Sequence, residues 1–271
     1  MTSPMTSPMT SPMTSPTTSP AGRLDGRTAL VTGSTSGIGA AIASALAAEG
    51  AHVLVSGRDA GRGRAVVEGV RAAGGRADLL AVDLAGSPDD LRAFAAAATD
   101  ALGGLVDVLV NNAGVYPVGP TEDLADDDLD RVLAVNVRAP HVLVAALVPA
   151  MAERGGGVVV TVGSWMARTG TAGSALYSAS KAAAEQMTRA WAAEYGPRGV
   201  RVNTLAPGVT LTPGNEAFRP VLDVMTAGTP AGVVVRPEDV ARGAVFLASD
   251  DAAMVHGTVL SVDGGISATR S

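Results

Sequence analysis

Thr28-Ala29-Leu30-Val31-Thr32-Gly33-Ser34-Thr35-Ser36-Gly37-Ile38-Gly39-Ala40-Ala41-Ile42 is the stretch whose reading decides the fold. It opens on an apolar run of the kind that forms a buried strand. Gly33, Gly37 and Gly39 follow in a Gly-x3-Gly-x-Gly spacing, and an Ala-rich segment then predicts a helix over 37–49. A strand that runs through a glycine turn into a helix lets the backbone come close to a pyrophosphate. The negative charge then rests on the helix N-terminus, whose N–H groups lack intrahelical partners. Glycine clusters are frequent in turns, so this one draws its weight from following a first strand.

Outward from that stretch the same alternation repeats. Strands are predicted over 28–32, 51–56, 77–82, 106–110, 157–162, 200–205 and 258–262, several of them continuous apolar runs suited to burial on both faces. Helices are predicted over 37–49, 59–73, 88–102, 124–135, 137–153, 175–195 and 237–248. Ser87-Pro88 and Arg236-Pro237 place proline at a first helical position. Repeated strand–helix alternation predicts an α/β, doubly wound parallel sheet of about seven strands with helices on both faces, a Rossmann fold. Residues 23–271 read as one such domain. Residues 209–235 carry no clear pattern and suit a mobile lid over a substrate. Residues 1–22 read as a disordered, low-complexity tail built on Met-Thr-Ser-Pro repeats, whose prolines forbid ladders and whose Ser and Thr add no core.

Composition narrows the function. Apolar residues make up 47% of the 271 and charged residues 17%, enough for a packed core. A net charge of −6 without a basic cluster speaks against a nucleic-acid partner. No uninterrupted apolar run is long enough to span a bilayer, so no membrane partner is expected; residues 139–151, broken by Pro140 and Pro149, read as a buried helix. With no cysteine, disulfides and thiolate chemistry are excluded, which fits a cytoplasmic location. His52, His141 and His256 share no ligand spacing, so no metal site is expected. The run Asp126-Asp127-Asp128 reads as a solvated helix start.

Later motifs complete a pattern. Asn111-Asn112-Ala113-Gly114 follows the fourth strand, Ser164 follows the fifth, Tyr177-Ser178-Ala179-Ser180-Lys181 lies on a helix, and Pro207-Gly208 and Asp263-Gly264-Gly265 come late. Together with the glycine turn, this order resembles the short-chain dehydrogenase/reductase family, over roughly residues 24–267, with 3-oxoacyl-(acyl-carrier-protein) reductase-like members the most similar type. The resemblance implies Asn136, Ser164, Tyr177 and Lys181 as the catalytic set. It implies a nucleotide held by Gly33, Ser34, Thr35, Ser36, Gly37, Ile38, Gly39, Arg58, Asp83, Leu84, Asn112, Ala113, Gly114, Pro207, Gly208, Thr210 and Thr212, with Tyr177 and Lys181 also touching it. Thr210 stands where that family has Val or Ile. A homo-oligomer, tetramer or dimer, is implied as well.

Gly57 ends the second strand where NAD users carry an acid for the ribose 2′-hydroxyl, and Arg58 beside it suits a 2′-phosphate; this favours NADP over NAD. Asp83 could meet the adenine amino group or cap a helix. Tyr177 and Lys181, four apart, share a helix face. The ammonium, joined by oxidised nicotinamide, is expected to lower the phenol pKa. Ser164, thirteen residues before Tyr177, is expected to steady the substrate oxygen while Tyr177 exchanges the proton. By resemblance, the Asn136 amide holds a water that relays protons from Lys181.

Val115, Tyr116, Trp165, Met166 and Leu211 are the expected substrate contacts. This largely apolar set suits a hydrophobic ketone, a β-ketoacyl thioester or a ring carbonyl. The expected activity is hydride transfer between NADP(H) and a carbonyl or secondary alcohol of a small molecule. The alternatives are an NAD-dependent alcohol or polyol dehydrogenase and a catalytically idle nucleotide sensor.

Overall fold

A computed structural model describes residues 22–269. The repeat tail, but for residue 22, lies outside the described residues. Seven strands form one sheet in the order β3-β2-β1-β4-β5-β6-β7, every pair parallel. They are β1 (Thr28–Val31), β2 (His52–Gly57), β3 (Arg76–Ala81), β4 (Val108–Asn111), β5 (Gly157–Val162), β6 (Val200–Pro207) and β7 (Val259–Val262). Strand order reverses direction between β1 and β4, which opens a crevice beyond their C-terminal ends.

Side chains alternate across the sheet, so each strand feeds two cores. Val31, Val53 and Val55 meet α1 (Gly37–Ala48), α2 (Ala60–Ala72) and α8 (Pro237–Ala248). Leu30, Leu54 and Leu109 meet α3 (Pro88–Ala101), α5 (Ala139–Glu153) and α6 (Ala175–Tyr195) on the other face. Ser87 caps α3 through the Asp90 backbone, and the Asp90 carboxylate returns the contact to the Ser87 N–H at 2.9 Å.

Two features depart from the sequence expectation. The helices predicted over 124–135 and 137–153 are one continuous helical run. It consists of α4 (Asp126–Val132), a π-helical turn at Leu133–Arg138, and α5. Pro140 has no N–H to give the carbonyl of Asn136, four residues back, and the chain widens at that point. This run of 28 residues is long and apolar enough to cross a bilayer by length and composition, contrary to the sequence expectation. Most of its apolar window is buried in the protein, as befits a core helix. The second departure is α7 (Arg219–Ala227), which lies within the stretch read as patternless.

Candidate active site

The glycine turn is shaped by close approach. A Cβ on Gly39 would collide with the side-chain amide nitrogen of Asn112 and the carbonyl of Gly33. That amide donates to the carbonyls of Thr32 (2.9 Å) and Gly33 (3.0 Å), so Asn112 ties the turn to the end of β4. Gly37 has φ +54°, a left-handed conformation that favours glycine. Ser36 stands at the N-cap of α1 in extended backbone, and no side chain caps the helix. Its first N–H groups therefore face a cleft with anion-binding geometry.

That cleft is lined by Gly33, Thr35, Ser36, Arg58, Asp83, Leu84, Asn112, Ala113 and Gly114, all expected there, and by Gly57 at the end of β2. Asp59, Arg62, Val82, Val115, Arg131 and Val135 join them. Ser34 does not: its buried hydroxyl donates to the Val31 carbonyl at 2.7 Å and accepts from the Ser56 N–H at 2.9 Å. Asp83 caps no helix. It accepts from the Ala85 N–H at 3.0 Å, holding a tight turn. An extended, glycine-turned cradle with an uncapped helix terminus and cationic walls fits a dinucleotide.

A second cavity, of about 320 Å³, adjoins it and holds the chemistry. Ser164 leaves β5 and accepts from the Met166 N–H at 3.2 Å, which fixes its hydroxyl. Tyr177 and Lys181 enter from the first turns of α6. Lys181 is buried and donates to the Val162 carbonyl at 2.8 Å, with its ammonium 5.8 Å from the Tyr177 ring centroid. Burial lowers the Lys181 pKa to about 8. The phenol moves opposite to expectation. Burial drives Tyr177 up to about 12, the nearby Ser164 hydroxyl pulls back, and Tyr116 adds to the rise.

Asn136 sits in the π turn, buried. Its Oδ1 accepts from the Val115 N–H at 2.9 Å, and its Nδ2 donates to the Val115 carbonyl and Ser180 Oγ, both at 3.0 Å. Both amide protons are committed to protein, so a water could meet Asn136 at its oxygens alone. The geometry makes Asn136 a clamp on the segment after Gly114.

Tyr116, Trp165, Met166, Pro207, Gly208, Thr210, Thr212 and Ile38 line this cavity. The Tyr116 ring lies against that of Tyr177, centroids 4.4 Å apart and planes tilted by 56°. Two expected substrate contacts lie elsewhere. Val115 faces the nucleotide cleft, held by Asn136. Leu211 lies in an outer cleft with Arg219 and Asp223, because the extended segment alternates and its neighbours Thr210 and Thr212 take the inner side. Val209, Asn215, Leu222 and Met225, which were not named singly, come from the stretch 209–235 expected to cover the substrate.

Comparisons with known proteins agree with this geometry. The family model described as enoyl-(acyl carrier protein) reductase matches residues 33–267. D-threitol dehydrogenase of Mycolicibacterium smegmatis is 40% identical over 241 residues, 80% of this chain and 93% of its own. A gluconate 5-dehydrogenase from Burkholderia cenocepacia J2315, solved with NADP and tartrate, superposes with a TM-score of 0.85 at 32% identity, covering 92% of this chain and 98% of that one. A 3-oxoacyl (acyl-carrier-protein) reductase from Agrobacterium tumefaciens C58, solved with NADP bound, gives 0.85 at 35% identity, covering 89% and 95%. With a seven-stranded sheet of this order and matches spanning nearly all of the fold, the chain belongs to the short-chain dehydrogenase/reductase family, NAD(P)-using oxidoreductases that act on CH–OH groups and their carbonyls.

Proposed function

We propose that this protein is an NADP(H)-dependent ketoreductase acting on neutral, largely apolar carbonyl compounds. The observation that carries the reading is the meeting of Ser164, Tyr177 and Lys181 in one apolar cavity beside the glycine cradle. Bound there, the nicotinamide would supply the hydride. Tyr177 Oη gives its proton to the oxygen that becomes the alcohol, and Ser164 Oγ holds that oxygen in place. A phenol held protonated by burial is the form reduction needs. Lys181 grips the ribose hydroxyls and hands protons inward, and Asn136 fixes the backbone behind it.

The preference for the 2′-phosphate rests on the end of β2. A Cβ on Gly57 would stand 2.8 Å from Thr35 Cγ2, so an acidic side chain there would have to displace Thr35. The nearest carboxylate, Asp59, is occupied by the Arg62 N–H at 2.9 Å and Nε at 2.7 Å. Arg58 lines the cleft and forms no ion pair among the described residues.

The substrate class rests on Tyr116, Trp165, Met166, Val209, Leu222 and Met225. Lys181 is the one charged residue of that lining, and its ammonium is bound to Val162. A sugar-acid carboxylate would find no cation there besides Lys181. The test is turnover of a cyclic ketone, a β-ketoacyl ester, gluconate and threitol with each nicotinamide cofactor. The expected result is reduction of the first two with NADPH. Threitol oxidation with NAD alone would replace this reading with the polyol dehydrogenase one.

A further inference from the structure

We propose that Arg131 is an adenine-binding residue, closing the nucleotide cleft from the face of the sheet opposite Arg58. The inference rests on the nucleotide reading above and adds a residue to it. Arg131 occupies the last turn of α4, and its half-buried side chain lines the same cleft as Arg58, Asp83 and Leu84.

The two arginines arrive from different layers. Arg58 stands two residues before α2, whose Val67 and Val70 belong to the core shared with α1 and α8. Val135, one turn beyond Arg131, packs with Leu84 and Leu91 in the opposite core. The cleft between them therefore has an apolar floor of Leu84 and Val135 and a guanidinium at each side. A flat, apolar-faced ring flanked by a phosphate is the chemistry this arrangement suits. Arg58 stands at the end of β2, where the ribose phosphate is placed. Arg131 stands with the residues beyond β3 and with Val135, where the ring itself would lie.

Local charge makes the placement more telling. α4 offers Asp127 and Asp128, four and three residues before Arg131, which is the spacing for helical ion pairs. Among the described residues Arg131 forms an ion pair with neither, and it lines the cleft. Arginine stacks on aromatic faces and donates to ring nitrogens from one planar group. The loop carrying Asp83 and Leu84 is fixed to the same helical run, because Arg138 donates to the carbonyls of Ala85 and Gly86, both at 2.8 Å. Arg131 and the floor of the ring site thus form one unit.

Binding of nucleotide fragments tests this without catalysis. Equilibrium titrations would compare 5′-AMP, adenosine 2′,5′-bisphosphate and nicotinamide mononucleotide on the wild type, Arg131→Ala, Arg131→Lys and Arg58→Ala. Arg131→Ala should weaken both adenosine compounds about tenfold, near the upper range of a desolvated cation–π contact, and leave the mononucleotide unchanged. Arg131→Lys keeps the charge without the planar group and should recover only part of the loss. Arg58→Ala should weaken the 2′,5′-bisphosphate alone. Wild-type affinity of Arg131→Ala for 5′-AMP would overturn the inference. So would a loss restricted to the 2′-phosphorylated compound, which would make Arg131 a second phosphate ligand. A wild type that binds the mononucleotide but no adenosine compound also sinks it, and one that binds none of the three removes the nucleotide reading as well.

Discussion

The two ends of the crevice are built from different material. The nucleotide end is a turn of backbone: glycines at contact distance, an amide that ties two strands together, an uncapped helix, and walls contributed by two cores. The substrate end is a set of side chains, two of them, Leu222 and Met225, carried by α7. That helix buries one residue, Thr226, and leaves Phe218 just before it and Val221 and Val224 within it exposed. Backbone built into a core has few ways to change, whereas side chains on a loosely packed helix have many. The contrast accounts for a shared cofactor class across relatives named for a tetrol, a sugar acid and an acyl chain.

The contrast can be broken at either end. The largest effect should come from Gly39→Ala, whose methyl group displaces Asn112 and Gly33. Overpacking of this kind costs about 2 kcal/mol, so denaturant unfolding should shift and nucleotide titrations should become flat. A variant that keeps both would show that the turn can rearrange. A smaller and more selective effect belongs to Leu222→Ala with Met225→Ala. Apolar contacts of roughly 1–2 kcal/mol would be lost from the substrate alone. KM for an apolar ketone should rise about tenfold, with NADPH affinity and unfolding free energy unchanged. Equal loss of NADPH affinity would make α7 part of the nucleotide site.

The same contrast governs what could be read before folding. Strand β5 and helices α6 and α8 fall on the expected residues, because a continuous valine run, a long Ala-rich run and a proline at the first helical position carry their own signals. Ser164, Tyr177 and Lys181 were legible through spacing on those elements. Arg131 was not: an arginine among four aspartates reads as a solvated helix face until the sheet brings Leu84 beside it. Helix α7 hid although Phe218, Val221, Leu222 and Met225 recur at helical spacing, because its 9 residues are fewer than a periodic pattern needs to stand out. Leu211 and Val115 were assigned by position along the chain, and the alternation of extended backbone turned them away from the substrate cavity. The phenol shift was missed for another reason. The Tyr-x3-Lys pattern declares the ammonium but not the burial around the phenol.

In the proposed enzyme, nucleotide binding and proton transfer are performed by separate parts of one crevice. Tyr177→Phe tests it most directly, measured for NADPH affinity by nicotinamide fluorescence and for ketone reduction on the same preparation. The predicted result is an affinity within about twofold of wild type and turnover reduced by about 10³, the scale of a lost general acid. Turnover within tenfold of wild type would show that Tyr177 is not the proton donor. Loss of NADPH binding in parallel would show that the two parts are not separate.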